Sequence, residues 1–122
     1  MQIVDVMTRN PCVVNADDSL LIAAQMLASN AIGAVPVADG ERLLGMLTDR
    51  DIVVRAIARN MNPADTLVHE IVSGSPKYCF EDEDTQHVAN NMDELLIRRL
   101  PVMSRDKRLV GIVSIEDIRP RH

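Results

Sequence analysis

One short pattern decides the fold of this chain because it occurs twice, as GMLTDRD at residues 45–51 and as GIVSIED at residues 111–117. Each copy passes from a glycine through two apolar residues to a hydroxyl side chain, and a carboxylate follows three residues later. A hydroxyl residue with an acid three positions on is typical of a capping box, which forms where a helix begins. The pattern therefore predicts a strand that leads directly into a helix in each copy. The hydroxyl and carboxylate residues are Thr48 and Asp51 in the first copy and Ser114 and Asp117 in the second.

The similarity between the two copies extends outward to the rest of the chain. The matched pairs are residues 7–11 with 72–76, Pro36 with Pro101, and Gly45 with Gly111. The turn at residues 104–108 holds one extra residue in the second copy. Because these anchors keep one register, we predict an internal repeat. We place repeat 1 at residues 1–61, a connector at 62–65 and repeat 2 at 66–119.

Each repeat is predicted to fold as β-α-β-β-α, with Ser19 and its neighbours Asp17 and Asp18 as the candidate cap of the first helix. The predicted strands cover residues 12–14, 34–37, 43–48, 78–80, 100–103 and 109–113, and the helix after the first motif covers 49–60. The predicted inward-facing helix positions are Leu20, Ala23, Ala24 and Leu27 in repeat 1, and Val88, Met92, Leu95 and Leu96 in repeat 2. The acidic run at 81–84 is predicted to complement a helix dipole. The final helix, at 115–119, is expected to stop at Pro120.

A repeat of about 57 residues buries too little surface to be comfortably stable alone. We therefore expect an α/β (α+β) fold in which the two repeats pack with pseudo-two-fold symmetry into one compact module. A cleft between the repeats would be a favoured place for a ligand.

Composition excludes several classes of function. The net charge of −5 disfavours a general nucleic-acid binder, which needs a positive surface. No apolar run approaches the roughly 18 residues of a membrane span, and the N-terminus lacks a signal-peptide pattern, so we expect a cytoplasmic protein. Cys12 and Cys79 lie in no CxxC motif and show no ligand spacing with the histidines, so no metal site is expected. The sequence also lacks the common catalytic motifs, which indicates that the chain is not an enzyme.

The duplicated motif has a structural and a functional interpretation. In the structural one, each hydroxyl and each acid only caps a helix. In the functional one, the hydroxyl and the free N–H groups of the helix meet an anion such as phosphate, and the carboxylate accepts the hydroxyl hydrogens of a ribose. Both interpretations stay open at the level of the residues alone.

The whole pattern of prolines, Val-Pro-Val-like strands and doubled Gly-h-h-[Thr/Ser]-x-x-Asp motifs resembles a tandem pair of cystathionine-β-synthase (CBS) domains, often called a Bateman module. The stretch from Thr48 to Val53 is similar to small bacterial stand-alone members. The resemblance implies a regulatory module with no obligatory cofactor that binds AMP, ADP, ATP or S-adenosylmethionine between its repeats. It also implies a homodimer and an unidentified effector protein as partners. The carried-over ligand residues are Thr48, Asp51, Ser114 and Asp117 for phosphate and ribose, and Val14, Val35, Pro36, Cys79, Leu100 and Pro101 around the adenine.

Basic residues distinguish the two copies. Arg98 and Arg99 stand just before Leu100, where related modules place phosphate contacts, and Arg50 is a further candidate. Repeat 1 has Gly33 and Ala34 at the corresponding positions, so the two sites are not expected to bind phosphate equally. The structural interpretation of these arginines is solvated charge at a helix end.

Two other functions stay open. The same fold could serve as a ligand-free interaction or dimerisation module. A small metal-dependent hydrolase that uses the aspartates is the third possibility, and it lacks a base, a nucleophile and a ligand set. Self-association is expected in either non-enzymatic case, because Ile52, Val53, Ala56 and Ile57 form an apolar stripe and the last helix is short.

Overall fold

The computed structural model describes residues 1–72 and 76–119, and the chain divides into two compact units. The first-repeat unit comprises Cys12–Pro76, and the second-repeat unit comprises Met1–Pro11 together with Lys77–His122. The residues at 73–75 that echo the N-terminal segment, and the expected helix stop at Pro120, lie outside the described residues.

The elements follow the predicted β-α-β-β-α order in each repeat. Their bounds are β1 Thr8–Arg9, β2 Val14–Asn15, α1 Leu20–Asn30, β3 Ala34–Asp39, β4 Arg42–Thr48, α2 Asp49–Arg55, β5 Cys79–Phe80, α3 Thr85–Leu95, β6 Arg99–Met103, β7 Leu109–Ser114 and α4 Ile115–Ile118. Helices and strands thus mix in an α+β fold, as the sequence predicts.

The sheet of the first-repeat unit has the strand order β2-β3-β4. β2 runs parallel to β3, and β3 pairs antiparallel with β4. Ser19 caps α1 by accepting a hydrogen bond from the backbone N–H of Ile22 at 3.2 Å. Helical spacing then places Leu20, Ala23 and Leu27 in the core, which confirms the predicted inner face.

Helix α2 is shorter than the predicted 49–60. It ends at Arg55 because the backbone of Ala56 departs from α-helical geometry, and a 3-10 helix follows at Ile57–Arg59. Ile52 and Ala56 are buried in the core, so half of the predicted apolar stripe faces inward rather than outward.

The sheet of the second-repeat unit has the strand order β1-β7-β6-β5. Asp84 caps α3, and Val88 and Met92 are buried as expected. Leu95 and Leu96 are exposed, and their predicted inward orientation is wrong. The helix ends at Leu95, and Leu96 adopts a left-handed backbone with a φ of 57° that turns its side chain away from the core.

Each unit is completed by a segment from elsewhere in the sequence. The N-terminal segment joins repeat 2: the N–H of Ile3 donates to the carbonyl of Glu83 at 3.0 Å, and β1 pairs with β7. Residues 66–72 join repeat 1, where the N–H of Val68 donates to the carbonyl of Asp18 at 2.8 Å. Ile3 and Val68 are both fully buried. The compact units are therefore defined by which residues pack together. The predicted division at 1–61, 62–65 and 66–119 is defined by the sequence repeat.

Candidate functional site

In the first-repeat unit, the duplicated motif lies where β4 ends and α2 begins. Thr48, the last residue of β4, stands opposite Ala34, the first residue of β3. The Thr48 hydroxyl accepts the backbone N–H of Asp51 at 3.0 Å, and the Asp51 carboxylate accepts the backbone N–H of Thr48 at 2.9 Å. This reciprocal pair is the capping box that the sequence predicts, and it leaves both side chains partly exposed.

The second-repeat unit keeps half of this arrangement where β7 meets α4, because the Ser114 side chain makes no cap hydrogen bond. Ser114 stands opposite Arg99 across the strand pair, and its backbone N–H donates to the Asp117 carboxylate at 2.8 Å. The two carboxylates are therefore held by the same backbone contact in both units. The predicted capping box is thus confirmed in full at Thr48 and Asp51, and only for the carboxylate contact at Ser114 and Asp117.

The residues around the two motifs differ in charge. In the first-repeat unit, the N–H of Asp49 donates to the carbonyl of Gly33 at 3.1 Å. The matching contact in the second-repeat unit joins Ile115 to Arg98 at 2.8 Å. These bonds show that Gly33 corresponds to Arg98 and that Asp49 corresponds to Ile115.

One unit therefore carries an acidic side chain beside this hydrogen bond, and the other unit carries a basic one. The Asp49 carboxylate lies 3.6 Å from the position that a Cβ on Gly33 would take. In the other unit, Arg98 carries a guanidinium that pairs with Glu116. Arg99 and Arg50 are exposed at the same two strand–helix ends.

The residues expected around an adenine are buried in the two cores. These residues are Val14, Val35 and Pro36 in the first-repeat unit, and Cys79, Leu100 and Pro101 in the second. Their side chains are therefore shielded from the solvent.

The two cysteines differ in their exposure to solvent. Cys12 and Cys79 are free thiols, one exposed and the other buried. Burial, assisted by the negative charge of Glu83, raises the pKa of Cys79 to about 12. Within residues 1–72 and 76–119, no three His, Cys, Asp or Glu side chains cluster in a way that could hold a metal ion.

The acidic run at 81–84 has structural partners. Asp84 caps α3, and Glu83 accepts the N–H of Phe80 at 3.0 Å. Asp82 forms a forked pair with Arg105, whose hydrogen bonds lower the pKa of the Asp82 carboxyl. These contacts stabilise the second-repeat unit locally, and the run precedes α3, where the sequence predicts charge that complements a helix dipole.

A cavity of about 340 Å³ in the second-repeat unit does not coincide with the predicted site. It opens at Leu109 and Val110, at the start of β7, whereas Ser114 ends that strand. Arg9 and Glu81 contribute opposite charges to its lining.

Sequence reasoning missed Arg55. Its Nη1 donates to the carbonyl of Ile71 at 3.1 Å, and its Nε lies 3.8 Å from Oδ1 of Asp51. The spacing of four residues between Asp51 and Arg55 on one helix was the available signal, because such residues are neighbours on a helix surface.

Comparison with known proteins identifies the family. The model of the CBS domain matches residues 3–57 and 68–120. This chain belongs to the CBS domain family. The CBS pair is 39% identical over 115 residues to Hypoxic response protein 1 of Mycobacterium tuberculosis, an alignment that covers 93% of this chain and 80% of that protein.

Solved structures agree with the family and the fold. A structure of Hypoxic Response Protein I with two coordinated zinc ions matches with a TM-score of 0.90 and 36% identity, covering 100% of this chain and 99% of that one. The CBS domain pair of protein MJ0100, in complex with 5′-methylthioadenosine and S-adenosyl-L-methionine, matches with a TM-score of 0.84 and 31% identity, covering 98% and 93%. Among the described residues, no helix has the length and apolar character of a membrane span.

Proposed function

We propose that this CBS pair is a regulatory module that binds an adenosine-containing ligand, with Asp51 and Asp117 accepting the ribose hydroxyls. The observation that carries the proposal is the duplicated geometry at the two motifs. In both units a carboxylate is fixed by one backbone N–H, at 2.9 Å from Thr48 and at 2.8 Å from Ser114.

The chemistry of a carboxylate supports the ribose role. An ionised carboxylate offers about four acceptor positions, and the backbone contact uses one of them. The remaining positions match two adjacent hydroxyl groups. 5′-Methylthioadenosine and S-adenosylmethionine, found with the CBS pair of MJ0100, share the adenine and ribose of AMP, ADP and ATP, so these are the candidate ligands.

Replacement of each aspartate by asparagine tests the ribose role directly. Asparagine keeps an oxygen that can accept the Thr48 or Ser114 N–H, but it removes the charge that a ribose hydroxyl would meet. A hydrogen bond to a charged group is worth about 1.5–3 kcal/mol, so affinity at the altered site should fall at least tenfold by titration calorimetry. Unchanged affinity in both variants, together with lowered stability in the matched alanine variants, would assign the motif to capping alone.

Thermal unfolding with AMP, ATP and S-adenosylmethionine provides an independent test. A ligand that binds only the folded state adds about 2.7 kcal/mol at 100 times its dissociation constant. We expect at least one of the three to raise the melting temperature without being consumed. No response to any of them would favour an interaction module on the same fold.

One observation favours protein interaction as a second function. Val53 and Ile57, on α2 and the 3-10 helix after it, expose 58% and 51% of their surface, and Val54 is also exposed. We propose that this apolar patch takes part in a homodimer or contacts an effector protein. Sedimentation that shows only a 13.5 kDa species at tens of micromolar would contradict the dimer, and Val53→Asp should disrupt it if it forms.

A further inference from the structure

We propose that Arg55 positions Asp51 for its ligand and links the occupancy of the first-repeat site to the segment at residues 66–72. This inference rests on the proposed function, because it takes Asp51 as the ribose acceptor. Arg55 would act through Asp51 and is therefore a positioning residue.

The first part of the argument concerns the two oxygens of the Asp51 carboxylate. Oδ2 accepts the backbone N–H of Thr48 at 2.9 Å, and Oδ1 lies 3.8 Å from Nε of Arg55. The carboxylate is thus held on one side by the backbone and on the other by a cation. Because its side chain stays 26% exposed, it remains accessible to a ligand while its orientation is restrained.

The second part concerns the other end of the guanidinium. Nη1 of Arg55 donates to the carbonyl of Ile71 at 3.1 Å. Ile71 is buried and follows the 3-10 helix Val68–Glu70, and its own N–H donates to the carbonyl of Val68 at 3.1 Å. A planar guanidinium has five N–H donors in a fixed fork, so one side chain can bridge the helix α2 and this segment.

The place of residues 66–72 in the chain determines what the Arg55 bridge would couple. Residues 66–72 pack in the first-repeat unit, yet in the chain they lie shortly before Lys77, where the second-repeat unit resumes. A ribose that fixes the Asp51 carboxylate also fixes the partner of Arg55, and Arg55 then restrains Ile71. A ligand shifts an equilibrium only through contacts that differ between two states of the protein, and an Asp51–Arg55–Ile71 chain restrained by a bound ribose would be such a contact.

The second-repeat unit provides a matched control. Arg105 is about as exposed as Arg55, with 62% and 57% of the side-chain surface accessible, and it also pairs with an aspartate, Asp82. Arg105→Met therefore removes a surface ion pair away from the motif, and a closer one, since Arg105 is hydrogen-bonded to Asp82 and lies over the Phe80 ring. Arg55→Met keeps the apolar stem and removes the guanidinium, and Arg55→Lys keeps the charge but loses the fork.

The experiment combines calorimetry with hydrogen exchange, using AMP and S-adenosylmethionine as probes. In an Asp117→Ala background, which isolates the first-repeat site, Arg55→Met should weaken binding about two- to fivefold, as for loss of a partly exposed ion pair. Arg55→Lys should recover most of the affinity, and Arg105→Met should leave it unchanged. In the unsubstituted protein, ligand should slow exchange of the amides of Ile71 and Val72. That slowing should be absent in Arg55→Met and reduced in Arg55→Lys.

The outcomes separate this inference from the proposed function. If Asp51→Asn weakens binding but Arg55→Met binds normally and still shows ligand-dependent protection at Ile71 and Val72, the positioning role is wrong and the ribose role survives. If the unsubstituted protein binds neither probe, or Asp51→Asn binds as tightly as the parent, both proposals fail together. Melting temperatures of all variants establish that each is folded under the conditions of the titration.

Discussion

The strand–helix ends of the two units share a backbone and differ in charge. Both keep a carboxylate bound to the N–H of the hydroxyl residue, and both keep a hydrogen bond from the first helical residue to the residue before the strand pair. Around these shared backbone contacts, Gly33 and Asp49 in one unit correspond to Arg98 and Ile115 in the other. The comparison shows that the repeat preserves the backbone contacts that build the end of the sheet, whereas the charges of the neighbouring side chains differ between the units.

The segments that complete the two units are also equivalent. Ile3 in one unit and Val68 in the other occupy equivalent 3-10 helices, and both are fully buried. The backbone contacts of the two segments correspond, although the segments lie more than sixty residues apart in the chain.

The largest expected effect tests this equivalence of the two segments. Ile3→Ala should lower the free energy of unfolding by about 2–5 kcal/mol, because a buried isoleucine leaves a cavity as well as losing its transfer free energy. Val68→Ala should also destabilise the protein, by a smaller amount that follows its smaller side chain. Urea denaturation measures both, with the exposed Val53→Ala as control. A loss below 1 kcal/mol for Ile3→Ala would show that the N-terminal segment contributes little to the second-repeat unit.

The next largest effect tests whether the difference in charge between the two units governs phosphate binding. In an Asp51→Ala background, replacement of Arg98 and Arg99 together by methionine should lower the affinity for AMP at least tenfold, since hydrogen bonds between charged partners are worth about 1.5–3 kcal/mol. Binding of 5′-methylthioadenosine, which lacks the phosphate, should stay within about twofold of the parent. Equal losses for both ligands, measured by calorimetry, would mean that the arginines support the fold rather than recognise phosphate.

A smaller effect is expected at the C-terminal ends of α1 and α3, which have the same backbone geometry. Ala31 after α1 and Leu96 after α3 both adopt left-handed backbones, with φ values of 52° and 57°. A residue with a Cβ is disfavoured there relative to glycine. Leu96→Gly should therefore raise the free energy of unfolding by about 0.5–1 kcal/mol, and Ala31→Gly should act in the same direction. Destabilisation of Leu96→Gly in urea melts would indicate that the exposed leucine side chain makes a contact of its own.

The smallest effect at neutral pH concerns Cys79, which stands where repeat 1 has Val14. Cys79→Val should change stability at pH 7 by less than about 1 kcal/mol, because a small apolar side chain replaces a buried thiol of similar size. In the folded state burial raises the pKa of this thiol to about 12, above its ordinary value of 9.0. The stability that the protonated Cys79 thiol contributes is therefore fully present below pH 9 and is lost as the pH rises toward 12. In that range the thiol of the unfolded protein releases its proton, whereas the thiol of the folded protein keeps it. Urea melts at pH 7 and pH 10 should show this loss in the parent and a smaller loss in Cys79→Val. Identical pH profiles would place the thiol in a more solvated environment.

Much of the fold follows from interactions between residues close in sequence. The cap at Ser19, the capping box of Thr48 and Asp51, and the inner face of α1 each depend on partners three or four residues apart, so a single sequence encodes them. The errors arise where a helix ends. The helical periodicity that correctly predicts a buried Met92 also predicts buried side chains at Leu95 and Leu96. The local sequence pattern does not indicate that the backbone turns left-handed at Leu96. The apolar stripe of α2 likewise could not show from its composition that Ile52 and Ala56 face the core while Val53 and Ile57 face outward.

The sequence by itself determined that the chain is a duplicated β-α-β-β-α unit with a hydroxyl and a carboxylate at the end of each strand pair. Only the tertiary structure decided which segment completes which unit, because such pairing depends on contacts between distant residues. Arg55 meets Ile71 across 16 residues, and Arg98 meets Glu116 across 18. The raised pKa of Cys79 likewise reflects burial by the whole second-repeat unit. Hydrogen bonds between residues close in sequence can be predicted from the spacing of the residues. Burial and long-range ion pairs cannot, because they form only when the folded chain brings distant residues together.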